Sequence, residues 1–321
     1  MEARMSDKAD NQLMLFTGER QSSLVSLIHP KSRPVPAKSS VMLSLCVLGS
    51  GSGGNATVLR MGETSLLIDA GFGPRTTDKR LKQAGLDLNH LHAVCVTHLD
   101  QDHFRRTWTD ALLRLGIPLY LHRWHYPELM RLPGGAELRD AGLVHEFDSD
   151  PFEPFPGMSA STVRLQHDRQ GTIGYRFDSA WGSVGYATDL GHAPASLIRH
   201  LAGVDLLCIE CNYDEHMTRT SSRPSWVNRR NMSDSGHLSN EQCYEAVRAI
   251  TDASPAGNPR DVVLLHRSRQ CNHPMKIRRV FERDPDLSSR ITLTDQRRRT
   301  RWVRVRPVTS QRRAQLKLTL S

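Results

Sequence analysis

The chain has 321 residues, of which 38% are hydrophobic, and a formal net charge of +9. That length and apolar content support a large buried core, and no run approaches the roughly 18 apolar residues that a membrane helix needs. The positive charge is local: Arg297, Arg298, Arg299, Arg301, Arg304, Arg306, Arg312, Arg313 and Lys317 all follow the last acid, Asp295, so residues 1–296 are formally neutral.

Residues 1–40 contain Pro30, Pro34, Pro36 and many Ser, Lys and Arg with no sustained period, and read as a flexible leader. The start is polar and mixed in charge rather than a secretory signal, so a cytoplasmic location is expected. Short runs rich in β-branched residues predict strands at Met42–Leu48, Ala56–Met61, Ser65–Asp69, Leu91–Val96, Ile117–Leu121, Ser161–Leu165, Thr172–Phe177, Gly182–Ala187, Val204–Ile209 and Val262–Leu265. Helical patterns fall at Thr76–Ala84, Arg105–Leu115, Pro194–Leu201, Ser239–Thr251 and Pro274–Phe281, with Ser239 and Gln242 forming a capping box. Strands that come first as hairpins and later alternate with helices fit an α/β (α+β) fold with a two-sheet core and helices outside. The expected organisation is a leader over 1–40, one domain over 41–290 and a basic C-terminal extension over 291–321. That extension either contacts phosphates or serves as a solubilising tail.

The six cysteines are scattered, and at least three lie in strand-like runs, so free thiols are expected. Cys208 and Cys211 match C-x-x-C, but strand alternation sends them to opposite faces, which argues against a redox or zinc-clip role. Gly49-Ser50-Gly51-Ser52-Gly53-Gly54-Asn55 looks like a phosphate-cradling loop, yet a strand pair follows it where a helix would have to open. A tight turn that brings backbone amides near a site is the better reading.

The densest chemical signal is Thr97-His98-Leu99-Asp100-Gln101-Asp102-His103, directly after the apolar run Leu91–Val96. Two imidazoles and two carboxylates at the end of a buried strand are costly to desolvate unless a cation takes them up. Further ligand-type residues close other apolar strands: His167 followed by Asp168, then Asp189, then His266. Strand ends of a layered sheet gather side chains into one cleft.

With these motifs the chain resembles the metallo-β-lactamase fold superfamily of metal-dependent hydrolases, which carries T-H-x-H-x-D-H and then a His, an Asp and a His at successive strand ends. The correspondence runs from about Met42 to Met275. Leu67-Ile68-Asp69-Ala70-Gly71, Gly174-Tyr175-Arg176, Ala187-Thr188-Asp189-Leu190-Gly191, Ser233-Asp234-Ser235-Gly236-His237-Leu238-Ser239-Asn240-Glu241 and Asn272-His273-Pro274 are similar to its bacterial YycJ-type branch, which is related to ribonuclease Z. The resemblance implies a four-layer αββα sandwich holding two divalent metals, with zinc first and manganese or iron as alternatives. His98, Asp100 and His167 would hold one ion, Asp102, His103 and His266 the other, and Asp189 would bridge them. The family carries His where this chain has Asp100. A third carboxylate lowers the charge of the loaded site from about +2 to about +1, which weakens its effect on the pKa of bound water and favours harder ions.

The same resemblance gives Glu210 and His237 roles in proton transfer and phosphate contact, with Asp102 also counted as catalytic. His237 precedes the helix start at Ser239, where free amides would favour an anion. The basic segment Arg219–Arg230, with Trp226, reads either as a clamp on a nucleic-acid backbone or as a solvated crossover. His273 is near His266 in sequence and is the one remaining histidine with a claim on the site. The function expected is hydrolysis of a phosphodiester in nucleic acid or a nucleotide by hydroxide held between two metals. A thioester or lactone hydrolase is the alternative within the fold, and a degenerate nucleic-acid-binding module without turnover is the alternative outside catalysis. The expected partner is the nucleic acid or nucleotide, not a membrane, and a homodimer is an admissible assembly.

Overall fold

The computed structural model describes residues 41–254 and 258–307; the expected leader and the end of the basic extension, 308–321, lie outside the described residues. In chain order the strands are β1 (Leu43–Gly49), β2 (Ala56–Met61), β3 (Thr64–Ile68), β4 (Leu91–Cys95), β5 (Leu119–His122), β6 (Val144–Phe147), β7 (Phe152–Phe155), β8 (Met158–Leu165), β9 (Thr172–Ser179), β10 (Gly182–Ala187), β11 (Leu206–Glu210), β12 (Asp261–Leu265), β13 (Ile291–Leu293) and β14 (Val303–Arg304). The helices are α1 (Pro74–Gln83), α2 (Trp108–Leu115), α3 (Tyr126–Leu129), α4 (Gly135–Asp140), α5 (Ala195–Leu201), α6 (Glu215–Arg219), α7 (Ser225–Asn231), α8 (Asn240–Asp252), α9 (Pro274–Phe281) and α10 (Pro285–Arg290).

Two seven-stranded sheets result, in the orders β14-β1-β2-β3-β4-β5-β6 and β13-β12-β11-β10-β9-β8-β7. Strand alternation explains the layers. Along β1, Leu43, Leu45 and Val47 point into a core between the sheets, while Cys46 and Leu48 point out to a second core under α1 and α2. On the other sheet Val263 and Leu265 of β12 face inward, and Val262 and Leu264 meet α5, α8 and α9 in a third core. Three apolar layers between four structural layers make the αββα sandwich, and strands buried on both faces read as continuous apolar runs. Cys208 lies in the inter-sheet core and Cys211 in the outer one, and all six cysteines are free and buried. The expected capping box is present, with Gln242 N donating to Ser239 Oγ at 3.1 Å and Ser239 N to Gln242 Oε1 at 2.8 Å.

Direction along the strands sets up the site. β3 to β6 are mutually parallel, as are β10 to β13, and β8 runs with β10 because both are antiparallel to β9. The C-terminal ends of β3, β4, β8, β10, β11 and β12 therefore open on one rim.

The boundary expected at residue 290 is corrected by the structure. β13 pairs with β12 and β14 with β1, so the first half of the basic segment supplies an edge strand to each sheet. Val305 is buried in the inter-sheet core, which fixes the chain there despite its charge. β6 and β7 also escaped the sequence pattern, being four-residue strands that carry exposed polar positions. Among the described residues no helix is long and apolar enough to cross a membrane.

Candidate metal centre

Each ligand-type residue singled out from the sequence stands on that rim. Thr97 to His103 follow β4, His167 follows β8, Asp189 follows β10, Glu210 ends β11 and His266 follows β12. Four of the residues at these strand ends, Asp69, Asp168, Asp189 and His266, have left-handed backbone with φ between 41° and 59°. Such values are uncommon for side chains other than glycine, and they recur where a fold turns a strand end sharply into a site.

The donor atoms converge in overlapping groups. His98, Asp100 and His167 form one; Asp102, His103 and His266 form another; and Asp189 joins both His98 with His103 and Glu210 with His237 and His266, all within 4.8 Å in each group. Asp189 is central, with Oδ2 at 2.9 Å from His103 Nε2 and Oδ1 at 3.1 Å from His266 Nδ1 and 3.9 Å from His167 Nε2. Asp100 is the solvent-facing member, its side chain 52% exposed, with Oδ2 at 3.7 Å from His98 Nε2. Burial and the neighbouring Asp102 raise its carboxyl. Asp102 Oδ2 lies 3.4 Å from His266 Nε2 and 3.8 Å from His103 Nε2.

The ring orientations are fixed from behind. The Nδ1–H of His103 donates to Asp69 at 2.8 Å, that of His167 to the Gly236 carbonyl at 3.0 Å, that of His266 to Glu210 at 2.8 Å, and that of His98 to Thr97 Oγ1 at 3.0 Å. Committing Nδ1 in this way leaves Nε2 as the nitrogen able to bind a cation, the arrangement that orients metal-binding imidazoles. Four imidazoles and three carboxylates so presented suit two divalent cations.

Glu210 stands behind His237, the residue with which the sequence reading paired it. It is fully buried, and its oxygens accept from His237 Nδ1, His266 Nδ1, Leu190 N and Leu238 N at 2.8 to 3.2 Å. It is therefore not free to touch a substrate; it holds two histidines in position. The start of α8 is also corrected: Leu238 N goes to Glu210, Ser239 N to Gln242 and Asn240 N to the Tyr213 carbonyl, so Glu210 already supplies the negative charge there. His273 caps α9, its Nδ1 accepting from Met275 N, and stands exposed outside the site. The segment Arg219–Arg230 folds largely into the end of α6 and into α7, leaving Trp226 exposed and pairing Arg230 with Asp168.

Several supporting residues had no assigned role in the sequence reading. Asp69 accepts from His103 and from both N and Oγ1 of Thr97, entirely buried. It meets the same criterion as Asp189, an acid closing an apolar strand. Asn55 brings the Gly49–Asn55 loop to the site, with Nδ2 at 2.9 Å from His103 Nε2 and Oδ1 accepting from Gly51 N at 2.8 Å. Gly71 is required for close approach, since a Cβ there would fall 1.7 Å from the Asp102 carbonyl oxygen.

The Beta-lactamase superfamily domain matches residues 64–266. The chain belongs to the metallo-β-lactamase superfamily. Within that superfamily, the exodeoxyribonuclease YycJ of Bacillus anthracis is 28% identical over 211 residues, 65% of this chain and 78% of that protein. The metallo-β-lactamase fold protein YhfI of Bacillus subtilis has a TM-score of 0.58 at 16% identity, covering 81% of this chain and 99% of that one. The short form of human tRNase Z has a TM-score of 0.51 at 17% identity, covering 82% and 99%. The two solved structures share the fold of the superfamily; the resemblance to the YycJ-type branch rests on the sequence relative.

The charged side chains of the site hold one another. Burial works against protonation of His103 and His266, but Asp189 and the carboxylates around it carry His103 well above the imidazole range and His266 to about 10. Burial likewise works against ionised Asp189 and Glu210, yet His266 and His103 keep Asp189 well below the carboxylate range and His237 draws Glu210 down to about 2. His98 is instead pushed down by burial and by His103.

Two outcomes follow. Asp69→Ala should weaken metal affinity roughly 10–100-fold by freeing the His103 ring; unchanged affinity in a folded variant would remove Asp69 from the site. In the metal-free protein the stabilisation from His266 is complete below its ordinary value of 6.5 and is lost as pH rises through about 10, while that from Glu210 is complete above 4.5 and lost as pH falls through about 2. Metal affinity should run the opposite way to His266 and rise with pH from 6.5 to about 10, because a cation displaces its proton. Calorimetric zinc titrations in buffers of different ionisation enthalpy should show protons released near neutral pH, and binding without release would contradict this electrostatic picture.

Proposed function

We propose that the protein is a metal-dependent phosphodiesterase that cleaves nucleic acid at a site for two divalent ions. The carrying observation is the bipartite donor set centred on Asp189, with the Nε2 faces of His98, His103, His167 and His266 turned to one cleft. Bound there, the two ions would supply Lewis acidity toward a phosphoryl oxygen and acidify water at neutral pH. The exodeoxyribonuclease relative supports a nucleic-acid substrate over other esters.

The chain's own residues do the rest. Glu210 accepts the Nδ1 proton of His237 at 2.8 Å, so His237 Nε2 is the atom left to donate a proton to a departing oxygen. Glu210 acts through His237 and His266 and is a positioning residue. A cleft of about 610 Å³ adjoins the Asp100 side and is lined by His98, Asp100, His167, Arg169, Gln170 and Arg230. Arg169 is exposed there and enters no ion pair among the described residues, which suits a phosphate or an adjoining nucleotide.

Purified protein should hydrolyse an oligonucleotide, lose that activity on chelation and recover it with added divalent metal. His237→Ala should lower kcat/KM by about 10²–10⁴-fold with metal content retained. Hydrolysis of a thioester or lactone, with no action on oligonucleotides or on a chromogenic phosphodiester, would overturn the proposal.

A further inference from the structure

Residues Asp295 to Arg306 were expected to lie in a tail, yet they run across the folded domain. Ser50 N donates to the Asp295 carbonyl at 3.3 Å, Arg80 to the Gln296 carbonyl at 2.9 Å, Thr300 N to the Val47 carbonyl at 2.9 Å and Val305 N to the Leu43 carbonyl at 2.9 Å. Trp302 Nε1 donates to the Ala84 carbonyl at 3.1 Å, so its ring packs down rather than standing free. The backbone is thus pinned along its length, and its side chains project from a fixed support.

Six of those side chains are arginines. Arg306 pairs with Asp261 at 2.9 Å, and Arg299 donates to the Thr300 carbonyl. Arg297, Arg298, Arg301 and Arg304 are exposed and enter no ion pair among the described residues. Asp295, the nearest acid in sequence, is taken up by the amides of Arg297 and Arg298 and by Arg267. Arg301, Arg304 and Arg306 also line a cleft of about 530 Å³. Guarding sheet edges from mispairing is the simpler use of such charges, and β13 and β14 are edges. It does not account for Arg297 and Arg298, which lie outside both strands.

The segment is continuous with the metal centre. Asp295 abuts Ser50 in the loop whose Asn55 lies against His103, and Arg267, which pairs with Asp295, follows the ligand His266. From Arg297 to Arg304 an extended chain reaches at most about 25 Å, room for several phosphates of one strand.

We propose that Arg297–Arg306 is a docking track for the sugar–phosphate backbone of a substrate strand that extends beyond the metal centre. The proposal rests on the phosphodiesterase reading for its substrate. Guanidinium groups match phosphate oxygens bidentately, and a fixed backbone reduces the order lost on binding. Contacts of this kind to phosphate position a strand without reading its bases.

The test compares full-length wild type with R297Q/R298Q/R301Q/R304Q, and with a charge-matched control, R114Q/R131Q/R139Q/R199Q, at other exposed positions. Binding of a fluorescein-labelled single-stranded DNA is followed by anisotropy over a salt series, beside hydrolysis of bis(p-nitrophenyl) phosphate. The track variant should bind at least about tenfold more weakly, and its salt slope should fall by about 3 for four lost contacts at ~0.7 each. Its melting temperature and its rate on the small diester should match wild type. Unchanged affinity and slope would overturn the proposal, as would an equal loss in the control. Unchanged DNA binding with new self-association by light scattering would assign the arginines to edge protection and overturn it too. Weakened DNA binding in the track variant, in a protein that hydrolyses no phosphodiester, would uphold the track while refuting the enzymatic reading.

Discussion

The buried carboxylate of Asp189 is the constraint on which this rim depends. It stands at the end of β10 with its oxygens shared among His103, His167, His237 and His266, residues delivered by four separate segments. An unpaired charge at that depth would cost several kcal/mol, so the carboxylate and the imidazoles are mutually necessary. Parallel strands bring them together: only because β8, β10, β11 and β12 run the same way do their ends meet in one place.

Around that carboxylate the protein spends its buried polar groups on orientation. Asp69, Thr97, Glu210 and the Gly236 carbonyl each hold an Nδ1 edge, so ring rotation is removed before any cation arrives. Glu210 does this for two rings and also ties down the amides of Leu190 and Leu238, linking β11 to the loops after β10 and before α8. Asp100 departs from this pattern, because it is half exposed and its carboxylate makes no hydrogen bond among the described residues. A donor of that kind would give one half of the centre a softer hold than the other.

Much of this convergence was legible in the sequence because donor residues announce themselves by type and position. His98, Asp102, His103, His167, Asp189 and His266 each follow an apolar run, and strand polarity did the rest. Asp69 was equally placed but had no partner in sequence, since its contact with His103 spans the gap between β3 and the loop after β4. The carboxylate already standing before α8 was hidden for a related reason: Glu210, which takes up Leu238 N, comes from β11. The basic segment misled because charge dominated its composition, while the features that fix it are one buried valine and backbone pairing with β1. Short edge strands such as β6 and β7 carry too few apolar positions for a period to emerge.

The most direct measurement is metal stoichiometry by elemental analysis on chelator-free protein, wild type beside Asp189→Ala. The account predicts about two ions per wild-type chain and a drop to one or none in the variant, because both halves of the centre share that carboxylate. Two ions retained in a folded Asp189→Ala protein would contradict it.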